Sequence, residues 1–150
     1  MVLRYELKIF PCLILCFFMA KAQAATQSVY IPVGTEIHLA TDIYLPDAEI
    51  LSNPSISSYS TVLIMTRYGR ATRFSAKAIE TLNRLGFAVI MVDMRGSGAS
   101  EGTRHATFSL EERADIKLIL DWIAAQEWSD GKIITTGVSY DANLADFAIQ

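Results

Sequence analysis

From Thr35 to Leu45 apolar side chains fall on alternate residues, with Ile37, Leu39, Ile43 and Leu45 on one side and Glu36, His38, Asp42 and Tyr44 on the other. This two-residue period is that of a strand, and the polar set predicts a sheet with one wetter face. Pro46 stops the strand, and the Ser-, Asn- and Pro-rich stretch through Ser60 has no apolar period and reads as a surface loop. Thr61 to Met65 and Phe87 to Val92 are continuous apolar runs, the pattern of strands covered on both faces. Between them Ala78, Ile79, Leu82 and Leu85 have helical spacing, closed by Gly86 as a C-terminal cap. Ser109 and Glu112 have capping-box spacing ahead of a further helix, in which Leu110, Ala114, Leu118 and Trp122 recur every four residues beside Ile119 and Ile123. That helix should end near Gln126. Ser129-Asp130-Gly131 predicts a turn, Lys132 to Thr136 a short strand, and the chain then enters another helix. Strands alternating with helices from residue 61 onward imply βαβ units, a parallel sheet and the α/β fold class.

Ahead of this pattern stands a different one. Arg4 and Lys8 precede an apolar run from Ile9 to Ala20, and Ala22-Gln23-Ala24 supplies a small-x-small site, the layout of a secretory signal. Cleavage after Ala24 is expected, leaving residues 25–150 as a partial α/β domain in the periplasm or outside the cell. The alternative, an uncleaved anchor, needs roughly 20 apolar residues, and Lys21 interrupts the run early. No stable membrane anchor is therefore expected after cleavage.

Composition narrows the chemistry. The formal net charge of −3 becomes −5 once Arg4, Lys8, Lys21 and Glu6 leave with the leader, which argues against nucleic acid as the partner. Both cysteines, Cys12 and Cys16, lie in the leader, so residues 25–150 can form neither a disulfide nor a thiolate site. Gly137-Val138-Ser139-Tyr140 follows a predicted strand and opens a predicted helix, the setting a nucleophile elbow requires: neighbours must be small for the turn to hold a serine hydroxyl clear of the backbone. The general motif expects glycine two residues after the serine, where Asp141 stands. Taken alone, the segment fits an ordinary strand-to-helix junction with Ser139 as N-cap equally well.

Four stretches extend the reading: Leu39 to Pro46, Thr66-Arg67-Tyr68-Gly69, the block Asp93 to Gly102, and Asp121 to Tyr140 with Trp122 and Trp128. In order and spacing they resemble the acyl esterases that include cocaine esterase, α-amino-acid ester hydrolases and X-Pro dipeptidyl-peptidase-like hydrolases. The resemblance covers nearly all of residues 33 to 148. It implies an α/β-hydrolase fold, an N-terminal portion with helices on both faces of a mostly parallel sheet, and a small ester or peptide as substrate. It also implies Ser139 as nucleophile, the backbone N–H of Tyr140 and the phenol of Tyr68 as oxyanion donors, and no cofactor or metal. The family writes its elbow Gly-x-Ser-Tyr-x-Gly, so Asp141 falls on a free position and the departure is Ala142. Arg67 stands where the family carries proline, which is expected to loosen the turn that aims Tyr68. Asp93 and Arg95 are expected to form an ion pair and backbone clamp for the glycine-rich loop.

A serine nucleophile needs a base, and this fold places its acid and then its histidine after the serine in chain order. His38 lies on an early strand, His105 in the loop after the glycine block and Asp146 on the helix after Ser139; each reads as a solvated surface residue. The acid and histidine are thus expected beyond residue 150, and the isolated chain is expected to be catalytically silent and poorly soluble along an unpaired strand edge. The competing reading is a non-catalytic remnant or binding scaffold of the same fold. Oligomeric state has no signature here.

Overall fold

The computed structural model describes residues 25–47, 51 and 57–149, so the expected leader and most of the stretch between Pro46 and Ser60 lie outside the described residues. Five strands form one sheet: β1 (Gln27–Pro32), β2 (His38–Tyr44), β3 (Tyr59–Thr66), β4 (Phe87–Asp93) and β5 (Ser129–Thr135), in the order β1-β2-β4-β3-β5. β4-β3-β5 pair in parallel, while β1-β2 and β2-β4 are antiparallel. Among the described residues three α-helices accompany the sheet, α1 (Ala76–Arg84), α2 (Leu110–Ala124) and α3 (Tyr140–Phe147), with a 3-10 turn at Arg70–Thr72. Among the described residues no helix is long and apolar enough to cross a membrane.

The continuous apolar runs form β3 and β4, as their pattern requires, because both faces of the sheet are covered. Leu63, Met65, Ile90 and Val92 pack with Ile116, Ile119 and Ile123 of α2 and Leu144 of α3, whereas Ile64, Val89 and Met91 pack with Ile79 of α1 on the opposite face. The helices therefore lie on both faces of the sheet.

Five local features differ from the sequence pattern. β1 carries too short a period to stand out, because only Val29 and Ile31 alternate in it. The face of β2 expected to be wetter is buried at Asp42 and Tyr44: Tyr44 packs with Ile79, and Arg70 lies 3.0 Å from Asp42. In α1, Leu85 is 68% exposed as the C-cap, and the buried place is taken by Asn83, whose amide donates to the carbonyls of Tyr44 and Phe87. In α2 the inward face is Glu112, Asp115, Ile116, Ile119 and Ile123, while Leu110 is 81% exposed and Ala114 and Leu118 are exposed as well. A repeat of strictly four residues advances about 40° per step around a helix of 3.6 residues per turn, so the Leu110-to-Trp122 row winds off the core. Ser129-Asp130-Gly131 is not a separate turn but the start of β5, where the register with β3 shifts.

Candidate active site

β5 lies at the edge of the described sheet and ends at Thr135; the chain then turns through Thr136 to Ser139 into α3. Ser139 has φ 59° and ψ −120°, a left-handed backbone that costs an L-residue about 1–3 kcal/mol and is held only by its surroundings. The restraints are visible. The Ser139 carbonyl accepts from the N–H groups of Ala142 and Asn143 and from the Asn143 amide. A Cβ on Gly137 would stand 2.4 Å from the Asp141 carbonyl carbon, so only glycine lets helix and strand approach this closely. Ser139 is exposed and its side chain makes no capping bond, which removes the ordinary N-cap role. As the first residue of α3, Tyr140 presents a backbone N–H that has no intrahelical acceptor.

The Tyr140 side chain turns inward. Its ring stacks on Phe108 at 4.9 Å, and its hydroxyl donates to the fully buried Glu112, whose other oxygen accepts the Phe108 N–H at 2.7 Å. Burial foremost, and then the bond to Glu112, push the Tyr140 phenol well above its ordinary pKa. Ser109 caps α2 through the Glu112 N–H, as its spacing predicts, but the Glu112 carboxylate serves Phe108 and Tyr140 instead of closing the box on Ser109. α2 is in this way tied to the first residue of α3, a connection the sequence pattern did not disclose.

Tyr68 follows β3 on the same rim. Its N–H donates to Thr66 Oγ1, its ring meets that of Tyr140 edge-on at 6.1 Å, and it is 45% exposed. Arg67 does not leave this turn slack. Its Nη2 donates to the Tyr68 hydroxyl oxygen at 3.2 Å, and its guanidinium lies 5.0 Å from the Tyr68 ring centroid and 4.4 Å from that of Tyr140.

Beneath the turn, Arg73 Nη1 reaches Asp141 Oδ2 at 3.5 Å, linking the segment after Tyr68 to α3. Asp141 is thus buried and paired, although the family pattern leaves its position free. Both residues line a cavity of about 120 Å³ with Ile64, Phe74, Thr136, Gly137 and Val138.

Asp93 and Arg95 do not pair with each other. Residues two apart share a face only while a strand runs on; β4 ends at Asp93, so Arg95 lies in the turn beyond it and reaches α2. There it forms a two-bond clamp with Asp115, at 2.5 Å for each bond. Asp93 instead holds Arg70, through Nη1 and the backbone N–H, both at 2.7 Å. It also clamps the glycine-rich loop, accepting the Ala99 N–H with its carboxylate and the Ser100 hydroxyl with its carbonyl. A Cβ on Gly98 would collide with the Asp93 carboxylate at 2.0 Å. His38 is engaged by Glu101 at 2.8 Å, and His105 and Asp146 are exposed. Among the described residues no group of three or more His, Cys, Asp or Glu side chains could hold a metal ion.

Residues 34–149 match the family model of the X-Pro dipeptidyl-peptidase (S15 family). The chain belongs to this family. It is similar to the cocaine esterase of Rhodococcus sp. (strain MB1 Bresler), with 31% identity over 121 residues covering 78% of this chain and 20% of the esterase. Among solved structures, an α-amino acid ester hydrolase matches with a TM-score of 0.67 at 20% identity, over 94% of this chain and 26% of its own. A CocE/NonD family hydrolase from Staphylococcus aureus matches with a TM-score of 0.62 at 21% identity, over 83% of this chain and 24% of its own. These likenesses establish the fold: the five strands and three helices of this S15 family member correspond to part of an α/β-hydrolase. The chain spans about a fifth of the length of the curated relatives it matches.

Proposed function

We propose that this chain carries the nucleophile and oxyanion site of a serine hydrolase acting on small acyl esters or short peptides, with Ser139 as nucleophile. The observation that supports it most is the left-handed backbone of Ser139 in the tight junction between β5 and α3, packed against a glycine that admits no side chain. Strain of this kind is stored where a side chain must be presented, and here the side chain is an exposed hydroxyl.

In the acylation step the Ser139 oxygen bonds to the carbonyl carbon while the carbonyl π electrons move onto its oxygen. The Tyr140 N–H and the Tyr68 O–H are assigned as donors to that oxyanion; one such donor lowers the barrier by roughly 3–4 kcal/mol. The serine proton passes to a histidine base and from it to the leaving group, after which water resolves the acyl-enzyme. The reading assigns that histidine and its acid to positions after residue 150, because His38 is committed to Glu101 and His105 is exposed on the loop ahead of α2. We also propose export, on the strength of the leader in residues 1–24; the mature N-terminus would then be Ala25 by terminal sequencing.

The experiment is hydrolysis of p-nitrophenyl acetate by the product of the whole reading frame, beside S139A and residues 25–150 alone. The expected result is Ser139-dependent turnover in the first and none in the others. Turnover that survives S139A removes the nucleophile assignment. A reading frame that closes at residue 150 with no turnover favours the scaffold reading instead.

A further inference from the structure

We infer that Arg67 is a positioning residue that commits the Tyr68 hydroxyl proton to the oxyanion. The inference rests on the reading of Ser139, Tyr140 and Tyr68 above and adds the group that orients the phenol.

A guanidinium has five N–H donors and no acceptor. Arg67 Nη2, at 3.2 Å, therefore occupies the acceptor side of the Tyr68 oxygen and cannot take its proton. A hydroxyl hydrogen is repelled by a cationic donor bonded to its own oxygen, so it turns to a direction away from Nη2. Water alone would accept or donate indifferently, so a free phenol would spend part of its time with the proton turned away.

Arg67 is itself held in place. Nη1 lies 3.5 Å from Thr107 Oγ1, and the guanidinium lies over the Tyr68 and Tyr140 rings, whose aromatic faces attract a delocalised cation. Three neighbouring cations are committed to acids: Arg70 to Asp42 and Asp93, Arg73 to Asp141, Arg95 to Asp115. Arg67 has no carboxylate within 4.0 Å among the described residues, so its charge is not neutralised before negative charge develops on the substrate. Arg73 also approaches the Tyr68 ring, at 5.3 Å, but makes no bond to the hydroxyl.

The test is a double-mutant cycle between Arg67 and Tyr68, in the form of the protein that hydrolyses p-nitrophenyl acetate. Y68F should lower kcat by about 10²-fold, the range for loss of one oxyanion donor. R67M should lower kcat about tenfold with KM within about twofold, and R67K, which keeps a cationic donor, should recover most of that loss. In the Y68F background R67M should change kcat by less than about twofold, since the hydroxyl it orients is gone. If R67M does not fold, R67Q enters the same cycle. An Arg67 effect as large in Y68F as in wild type, or none in either, overturns the inference while the S139A result stands. Turnover indifferent to S139A, or absent in every form of the protein, overturns the hydrolase reading and this inference together.

Discussion

Glu112 is a fully buried carboxylate that joins α2 to the residue beside Ser139, and Glu112→Ala should be among the most damaging single substitutions among the described residues. Its carboxylate accepts the Tyr140 hydroxyl and the Phe108 N–H. Hydrogen bonds to a charged acceptor contribute about 1.5–3 kcal/mol each, and truncation strands both donors in the core. Relief from burying the carboxylate offsets part of the roughly 3–6 kcal/mol for the two bonds, so the net loss should be about 3–5 kcal/mol. For a chain of this size 1 kcal/mol shifts Tm by about 2–4 °C, so E112A should unfold at least about 6 °C lower. Glu112→Gln separates hydrogen bonding from charge. Its carbonyl can accept the Phe108 N–H while its amide donates to the Tyr140 oxygen, the phenol proton turning away, and the cost should stay near 1 kcal/mol because neutral bonds are about half as strong. Urea and thermal unfolding followed by circular dichroism at pH 7 measure both variants. An E112A protein within about 1 kcal/mol of wild type, or E112Q as unstable as E112A, would refute the hydrogen-bond accounting.

Tyr140 predicts an alkaline limit: its folded pKa is raised, chiefly by burial, so its contribution is complete below the unfolded value near 10 and is lost as pH rises above it, by about 1.4 kcal/mol per pH unit. Y140F should flatten the fall in stability above pH 10, and an unchanged slope in urea titrations would remove Tyr140 as its source. Ser139→Gly should relieve the left-handed backbone, raising Tm by about 2–4 °C per kcal/mol of released strain while abolishing turnover; a lower Tm would mean the φ of 59° is not strained. Gly98→Ala should drive a methyl into the Asp93 carboxylate and cost about 1–3 kcal/mol, read by calorimetry, with full stability as the contrary result. Ile134, 49% exposed on the edge strand β5, should make residues 25–150 prone to self-association, and Ile134→Lys should raise their soluble fraction in light scattering.

Local pattern determined which segments become β3, β4, α1 and α2, because a strand buried on both faces or a capped amphipathic helix carries its requirement in consecutive residues. The junction from β5 into α3 was legible for the same reason: Gly137 and Ser139 sit between a strand and a helix, and the steric need for a small residue there is local. What only the tertiary structure decided is which charges meet. Asp93 and Arg95 are two apart and would share a face if the strand ran on, yet β4 ends at Asp93 and the chain turns, so one meets Arg70 and the other Asp115. Glu112 has the spacing of a helix cap, but its carboxylate serves Tyr140, 28 residues away. Arg67 reads in sequence as a lost proline and in space as a cation between two tyrosine rings. A residue's period along the chain states which face it occupies, whereas its partner depends on how separate elements are stacked, and here the stacking brings the Tyr68 ring edge-on to that of Tyr140 at the start of α3.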